Sequence, residues 1–314
     1  MSSTIRLVAL AVIAILVLAC SDGGASATPA SAAPATPPPA SDAPATAAPT
    51  PDACAKENLA LVAPGTLTIG TGNPAYPPYF EFSESPTAPW ELGDPTTGGG
   101  FEGAFAYALA DELGFAAEEV VWTVVPFETS FAPGPKAFDI DINQISYKPE
   151  RAQNVDMSQG YYFVNQSVVA RAGTPAAAAT TIADLKSVKF GVQVGTTSLD
   201  AITNIVAPTT ETSVYDTTDA AIEALKVGQI DAIVVDLPTA FFITAVQLDD
   251  GVIVGQFPSP TGADAEYFSV VLGKDSPLTP CVNAAIAAMD ADGRLAAVTQ
   301  EWLSDKADAP VFQP

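Results

Sequence analysis

The sequence predicts an α/β protein with two lobes and a chain that crosses between them twice. Three observations lead to this fold class. Apolar strand patterns alternate with helix patterns from residue 66 to residue 303. A stretch rich in Ala and Thr at residues 172–181 divides this alternation into two blocks. A late strand pattern at residues 268–272 is expected to return to the first block, which would make the first lobe discontinuous and leave a two-strand hinge at residues 164–170 and 265–272.

The first block contains strand patterns, one clear helix pattern and a rigid turn. The helix at residues 101–113 places Phe101, Phe105 and Leu109 on one face and is closed by Gly114. A turn rich in proline and aromatic residues precedes it. The expected strands cover residues 66–71, 120–125, 139–145 and 164–171.

The second block repeats the alternation with shorter elements. The expected strands cover residues 189–194, 230–235 and 252–254, and the expected helices cover residues 181–185, 220–227 and 238–244. A tight turn at Gly195 leads into a further helix with hydroxyl residues at its start. After the return strand, helices are expected at residues 278–289 and 295–303.

The composition limits the possible functions. The chain of 314 residues has 12 basic and 36 acidic residues and a formal net charge of −24. Nucleic-acid phosphates would be repelled by this charge, so we expect no nucleic-acid partner. The chain has no histidine, which excludes a histidine-activated serine or cysteine nucleophile and disfavours the common zinc sites. We therefore expect no cofactor and no bound metal.

The N-terminus has the pattern of an export signal. Arg6 precedes an apolar run at residues 7–19, which is short for a membrane span and typical of a signal peptide at residues 1–19. The segment 17–20, Val-Leu-Ala-Cys, resembles the lipobox of bacterial lipoproteins, which implies that Cys20 becomes a lipidated N-terminus. An ordinary secretory signal is the alternative. Lipidation would hold the protein on the outer face of the cell membrane.

The export signal leads into a tether and then a folded region. Residues 20–53 are expected to be the lipidated cysteine and a disordered tether, because they are dominated by Ala, Pro, Ser and Thr. With Cys20 lipidated, Cys54 and Cys281 remain; a disulfide between them is expected in an exported protein, and two buried thiols are the alternative. We predict a first lobe at 54–167 and 266–314 and a second lobe at 168–265.

Five segments, in order, carry a resemblance to a known family. They are IGTGNPAYPPYF, GFEGAFAYALADELG, FDIDINQISYKPERAQNVDMSQGYYF, FGVQVGTTSLDAI and VGQIDAIVVDLPTAFF. Together they resemble the amino-acid-type solute-binding proteins of family 3, which supply ABC importers in bacteria, over residues 60–305. The resemblance implies the type II periplasmic-binding-protein fold, an amino-acid ligand and an importer permease as partner.

The resemblance also assigns residues to the two charged groups of an amino acid. Burying either group unpaired is costly, so a cleft needs a fixed cation and a fixed anion. Arg151 matches the arginine that binds the ligand carboxylate, and Asp236 matches the aspartate that binds the ammonium group. Thr196 and Thr197 match a turn that meets the carboxylate, and Ser146 matches a ligand-bonding hydroxyl. A surface role for Arg151 and helix-cap roles for Asp236 and Thr196 are the alternatives.

Other positions are expected to contact the ligand side chain. Tyr76 matches an aromatic residue that stacks on it, and Gln193 occupies a position that can face the ligand. Asn73 follows Gly72 where many relatives have an aspartate, which disfavours a cationic side chain. Asn143 and Gln144 replace a Ser-Gly pair of many relatives; these amides are expected either to bond a polar ligand side chain, and so to select the ligand, or to satisfy local backbone groups.

We therefore expect a monomeric, extracytoplasmic lipoprotein that binds a polar amino acid or a related small zwitterion and delivers it to an ABC importer without catalysis. Two alternatives use the same fold. One is a dehydratase acting on a cyclic acid of the prephenate or arogenate type, for which Glu102 or Asp236 would be the general acid. The other is a ligand-sensing receptor lobe that does not take part in transport.

Overall fold

The computed structural model describes residues 53–258, 265–303 and 309–313. Cys20, the signal peptide expected at residues 1–19 and all of the expected tether except residue 53 lie outside these ranges. Within them, no helix has both the length and the apolar character needed to cross a membrane.

Two five-stranded sheets form the centres of two lobes. In chain order, the strands are β1 Leu67–Thr71, β2 Val120–Val124, β3 Ile140–Asp141, β4 Val155–Phe163, β5 Gln166–Arg171, β6 Phe190–Gln193, β7 Ser213–Tyr215, β8 Ala232–Asp236, β9 Gly251–Gln256 and β10 Tyr267–Gly273. The helices are α1 Phe101–Glu112, α2 Phe127–Ser130, α3 Thr197–Ala201, α4 Thr218–Lys226, α5 Leu237–Phe242, α6 Thr279–Ala291 and α7 Arg294–Leu303. Single turns of π-helix, Ile202–Val206 and Ile243–Gln247, continue α3 and α5.

The strand order shows how the chain divides between the lobes. The first sheet has the order β2-β1-β3-β10-β4, and the second has the order β7-β6-β8-β5-β9. In the first sheet β1 pairs parallel with β2 and β3, whereas the late strand β10 pairs antiparallel with β3 and β4. The chain thus crosses from β4 to β5 and returns from β9 to β10. This confirms the predicted α/β class with two lobes, and the late strand β10 lies in the first sheet.

The first lobe has a core rich in aromatic residues. Phe101, Phe105 and Leu109 of α1 are fully buried, as their spacing predicted, and Phe105 stacks on Tyr161 with ring centroids 4.3 Å apart. A disulfide joins Cys54 to Cys281 in α6, with the Cα atoms 5.4 Å apart, as expected from the sequence. The bridge therefore ties the start of the described chain to a C-terminal helix of this lobe.

The second lobe buries aliphatic residues on both faces of its sheet. Val168 and Val169 follow each other in β5 and lie in separate core clusters, because successive strand side chains point to opposite faces. Phe312 packs in one of these clusters, and Val311 forms a bridge with Gln256 at the end of β9. Residues 309–313, which the sequence analysis placed in the first lobe, thus pack on the second.

Several elements differ from the sequence expectation: β7 and α2 were not expected, and two further differences concern the first sheet. The strand expected at 139–145 is confined to Ile140–Asp141, and Gln144 further along has a left-handed φ of 50°, which is incompatible with an extended strand. The long strand Val155–Phe163 was not expected, since its polar residues hide the strand pattern. It nevertheless pairs along most of its length with β10, a partner more than a hundred residues later in the chain.

Candidate ligand-binding site

A cavity of about 340 Å³ lies between the two lobes. Every residue that the sequence analysis assigned to a ligand lines it: Asn73, Tyr76, Asn143, Gln144, Ser146, Arg151, Gln193, Thr196, Thr197 and Asp236. The first six come from the first lobe, and the other four come from the second. The cavity volume falls in the lower part of the range of about 300–1,000 Å³ that is usual for small-molecule sites.

Arg151 is the cation of this cavity, and the protein fixes its position from several sides. Its guanidinium donates through Nη1 to the carbonyl oxygen of Ser146 at 2.5 Å and through Nη2 to that of Gly195, in the second lobe, at 2.8 Å. The guanidinium carbon also lies 4.3 Å from the ring centroid of Phe131 and 5.5 Å from that of Phe127. Burial lowers the pKa of Arg151 to about 10, so the group is charged at neutral pH, and its other N–H groups can donate to an anion.

Asp236 ends β8 at the opposite lobe and is the anion of the cavity. Its Oδ1 accepts a hydrogen bond from Nε2 of Gln166 at 2.6 Å. Burial, followed by the negative charge of Glu266, raises the pKa of Asp236 well above its usual value, against the opposing effects of Gln166 and Arg151. The carboxylate is therefore a poorly neutralised anion, and a bound cation would stabilise its ionised form.

Ser146 is buried at the boundary between the lobes. Its hydroxyl donates to Oε1 of Glu266 at 2.6 Å, so the lone pairs of the serine oxygen are what remain for a ligand. Neither Glu266 nor Gln166 was identified from the sequence. The only signal for Gln166 was a polar residue inside an otherwise apolar strand pattern, and Glu266 gave none.

The turn at Gly195 uses its hydroxyls within the protein. The side chain of Thr196 accepts from the backbone N–H of Leu199 at 3.3 Å and donates to the carbonyl oxygen of Gln193 at 2.9 Å, so Thr196 caps α3. Thr197 accepts from Nε2 of Gln166 at 3.3 Å. The helix-cap role that the sequence left open for Thr196 is therefore present in the structure.

Three of the four amide side chains expected at the cavity already have protein partners. Asn73 bonds the carbonyl of Pro89 at 2.8 Å and the N–H of Glu91 at 2.9 Å, which fixes the loop that follows the aromatic turn. Gln193 accepts from the N–H and the hydroxyl of Thr218, at 3.1 and 2.8 Å.

The remaining two amides come from the unusual pair at the end of the shortened strand. The Gln144 amide donates to Glu102, which also accepts from the Gln144 N–H at 2.8 Å. Within the described ranges, Asn143 is the one of the four whose side chain makes no hydrogen bond. Asn143 is therefore the amide that is available to a ligand.

Polar contacts join the lobes around the cavity. Tyr76 donates its phenolic hydrogen to Oδ2 of Asp219, and Gln247 donates to Oδ1 of the same carboxylate at 3.1 Å. Burial, followed by the bond to Asp219, raises the pKa of Tyr76 well above its usual range. Further contacts between the lobes are Tyr79 with Thr239 at 3.2 Å and Lys148 with Asp200 at 2.6 Å. The two lobes therefore touch on several sides of the cavity.

Glu102, named as a possible general acid, is not among the described residues that line the cavity. It is fully buried, and burial raises its pKa to about 7. Its carboxylate accepts hydrogen bonds from the Tyr161 hydroxyl at 2.5 Å and from Gln144. Among the residues described, no group of acidic or cysteine side chains has the arrangement of a metal site.

Comparison with known proteins identifies the family. The pattern of the bacterial extracellular solute-binding proteins, family 3, matches residues 82–305. This chain belongs to that family. It is 30% identical over 241 residues to the L-cystine-binding protein TcyJ of Escherichia coli K12, covering 76% of this chain and 82% of TcyJ. The resemblance stated from the five sequence segments is thereby confirmed.

Solved structures of solute-binding proteins have the same fold. An ancestral arginine-binding protein bound to glutamine superposes with a TM-score of 0.60 at 26% identity, covering 76% of this chain and 97% of that one. An ancestral amino acid-binding protein, described as a precursor of cyclohexadienyl dehydratase, gives a TM-score of 0.57 at 24% identity, covering 76% and 95%. The two-lobed fold of this solute-binding protein is therefore that of the type II periplasmic binding proteins.

Proposed function

We propose that this protein captures a polar amino acid, or a related small zwitterion, between its two lobes and delivers it to an ABC importer. The observation that carries the proposal is that one cavity brings together Arg151 from the first lobe and Asp236 from the second. The proposal includes the lipid anchor at Cys20, which would keep the protein at the outer face of the membrane beside its importer.

The chemistry of the cavity matches the charges of an amino acid. The free N–H groups of Arg151 would bind the carboxylate, in the bidentate geometry that guanidinium favours. The ammonium group would donate to Asp236 and to the oxygen of Ser146. Because burial and Glu266 raise the pKa of Asp236, an added positive charge at this point has a favourable electrostatic interaction. Each charged group of the ligand thus meets a partner that is otherwise incompletely neutralised.

The rest of the cavity favours a polar ligand side chain. The amide of Asn143 and the ring of Tyr76 lie on one side, and Asp216, Thr217 and Gln247 lie on the other. A purely aliphatic side chain would cover the amide of Asn143 without bonding it, which is unfavourable. The names of the relatives, which refer to cystine, arginine and glutamine, support an amino acid with a polar side chain.

Ligand binding would favour the state in which the lobes touch. Arg151 and Asp236 belong to different lobes, so a ligand that bonds both can do so only when the cleft is closed. Such a ligand has a higher affinity for the closed form and shifts the hinge equilibrium towards it. The permease would then recognise surfaces of both lobes in their closed arrangement.

A thermal-denaturation screen of the full-length protein tests this proposal. The panel would hold the standard amino acids together with L-cystine and L-ornithine, and succinate would serve as an anion without an ammonium group. At a concentration of about 100 times Kd, a ligand stabilises the folded protein by about 2.7 kcal/mol. At least one zwitterion should raise the melting temperature, and succinate should not. If no zwitterion does so, the amino-acid proposal fails.

Two alternatives are separated by further measurements. A dehydratase would convert prephenate or arogenate, yet both carboxylate oxygens of Glu102 accept hydrogen bonds, and Glu102 is not among the described residues that line the cavity. Mass spectrometry would detect any product formed from prephenate or arogenate. Tight binding of these acids without product would exclude the enzyme. A sensor without transport would bind the same ligand. Ligand uptake into vesicles that contain the cognate importer would support transport, and no uptake would support the sensor.

A further inference from the structure

The hydrogen bonds around Asp236 lead to two residues that the sequence did not point to, Gln166 and Glu266. Gln166 is the first residue of β5, just after the first crossing between the lobes, and Glu266 directly precedes β10, at the end of the second crossing. Gln166 donates to Asp236, and Glu266 accepts from Ser146; Asp236 and Ser146 are the two groups that would receive an ammonium ion. The network therefore joins both crossings to one end of the cavity.

We propose that Gln166 and Glu266 are positioning residues, which hold Ser146 as a hydrogen-bond acceptor and tie the protonation of Asp236 to the charge of Glu266. This inference rests on the proposed function in one respect, namely that Asp236 and Ser146 receive the ammonium group of the ligand. Neither Gln166 nor Glu266 lines the cavity among the described residues, so both act through their neighbours.

The orientation of the Gln166 amide follows from its partners. Its Oε1 accepts a hydrogen bond from the hydroxyl of Ser198 at 2.6 Å, so its nitrogen faces the opposite way. That nitrogen lies 2.6 Å from Oδ1 of Asp236, 3.1 Å from Oε1 of Glu266 and 3.3 Å from the Thr197 hydroxyl. A primary amide has two hydrogens to donate, and here three acceptors, two carboxylates and one hydroxyl, lie within reach of them.

The consequence for Asp236 is electrostatic. Two carboxylates that share one donor are close enough to repel, and a like charge at this range disfavours ionisation. Arg151 opposes this effect, whereas Glu102 adds to it. Burial, followed by the charge of Asp236, raises the pKa of the phenols of Tyr79 and Tyr162. An ammonium ion from the ligand would relieve this repulsion, so binding is expected to release a proton from Asp236.

The consequence for Ser146 is directional. A serine hydroxyl has one hydrogen, and here it points to Oε1 of Glu266 at 2.6 Å. The serine oxygen can then accept from an ammonium group but cannot donate to a carboxylate. Glu266 thus makes Ser146 part of the ammonium end of the cavity rather than the carboxylate end. The two ends are kept chemically distinct, which would fix the direction in which the ligand lies.

The variant Glu266→Gln tests both consequences in the full-length protein. Dissociation constants for L-cystine, L-arginine and L-glutamine would be measured by calorimetry from about pH 4 to pH 8. In the wild type the affinity should fall as the pH decreases and Asp236 takes up a proton. In E266Q we expect at least about tenfold weaker binding at pH 7, because a neutral amide oxygen holds the serine hydrogen less firmly than a carboxylate does. The midpoint of the pH dependence should also move down by about one unit, because the repelling charge is gone.

A second measurement needs no ligand and therefore separates this inference from the proposed function. Because its pKa is raised in the folded protein, Asp236 contributes stability at low pH that is lost as the pH rises through that folded value. Between about pH 4 and pH 8, E266Q should lose less stability than the wild type, because Asp236 no longer lies beside the negative charge of Glu266. Glu211→Gln, which removes an exposed glutamate from the second lobe, is the matched control and should behave like the wild type.

These measurements can overturn the inference in distinct ways. If E266Q matches E211Q in the pH dependence of stability, Glu266 does not set the protonation of Asp236. If it also matches E211Q in affinity, Glu266 does not position Ser146. If none of the three amino acids binds the wild type, the stability comparison still decides the first point. Should E266Q fail to fold, Ser146→Ala should weaken binding without moving the pH midpoint, and unchanged affinity would contradict the role of Ser146.

Discussion

The two charged ends of the cavity are built in different ways. Arg151 is held by two backbone carbonyls, one from each lobe, and lies over two aromatic rings. Asp236 has one amide donor, Gln166, and that donor is shared with the repelling carboxylate of Glu266. The Arg151 end of the cavity is thus pre-organised, whereas Asp236 would gain from a bound cation or a proton. Under the proposed function, Arg151 would therefore provide most of the affinity, and the charge of Asp236 would change with pH.

Replacing Arg151 should have the largest effect, because the cation is the better supported end. Arg151→Ala would leave a ligand carboxylate buried without its partner, at a cost of about 3–5 kcal/mol, which corresponds to at least about a hundredfold loss of affinity. Arg151→Lys keeps the charge but loses the forked geometry and should give an intermediate loss. Calorimetric titration with the amino acid identified by the screen measures both.

Lys148→Ala is the matched control for this prediction. Lys148 also contacts the second lobe, through Asp200 at 2.6 Å, but the pair is partly exposed. Such pairs contribute about 0–1 kcal/mol, so affinity should change by less than about fivefold. If K148A weakened binding as much as R151A, the special position of Arg151 would have to be abandoned.

The lobes that carry these two ends are also stabilised differently, and the disulfide tests that difference. Cys54 and Cys281 close a loop with a separation of 227 residues and belong to the first lobe, which holds Arg151. Replacing both with Ala should lower the free energy of unfolding by about 2–5 kcal/mol. The affinity for the ligand should be unchanged, since neither cysteine lines the cavity.

Chemical denaturation with and without a reducing agent checks the disulfide prediction. Reduction should destabilise the wild type and leave the double variant C54A/C281A as it was. A loss of ligand affinity in the double variant would mean that the cation end depends on the bridge. Equal stability of the two proteins would mean that the first lobe does not need it.

Asp236→Asn tests the weaker end of the site. The loss of a charge-assisted hydrogen bond to the ammonium group costs about 1.5–3 kcal/mol, so affinity should fall about 10- to 100-fold. Stability should respond in the opposite direction. The wild type loses stability as the pH rises from the usual pKa of an aspartate through the raised pKa of Asp236 in the folded protein. Asn does not ionise, so D236N does not have this loss.

Denaturation at pH 4 and pH 7 would follow this change. D236N should be more stable relative to the wild type at pH 7 than at pH 4. The exposed Asp249→Asn, in the same lobe, serves as the control and should show no such difference. If D236N were destabilised at both pH values by the same amount, Asp236 would be a structural anchor comparable to Arg151.

The same contrast explains how much of the site could be predicted from the sequence. The face of α1 follows from local spacing, and its residues Phe101 and Phe105 are buried. The cavity residues follow from a family resemblance in which each motif is local. Gln166 and Glu266 have no local signal, because their roles arise only when the two crossings meet in space. The strand Val155–Phe163 was missed for a related reason, since its partner β10 lies far along the chain.

Residue roles within the cavity were harder to predict than residue positions. Asn73 and Gln193 line the cavity as expected, but their side chains are bonded to nearby backbone groups. Gln144 is bonded to Glu102, which is far away in the sequence. An amide next to a pocket can serve the protein as well as the ligand, and only the three-dimensional partners distinguish the two. Asn143 is accordingly the better position at which to alter specificity.

The smallest effect is expected from the contact between Tyr76 and Asp219, which joins the lobes without neutralising a ligand charge. Tyr76→Phe removes the hydroxyl and keeps the ring, so it should cost about 0.5–1.5 kcal/mol, or about 2- to 10-fold in affinity. The loss arises because the bond is available only when the lobes touch, so the closed form becomes less populated. Tyr147→Phe alters a tyrosine that stacks on Tyr267, is not among the described cavity-lining residues and should leave affinity unchanged. A loss in Y76F as large as that in R151A would show that contact between the lobes, rather than the pre-organised cation, determines affinity.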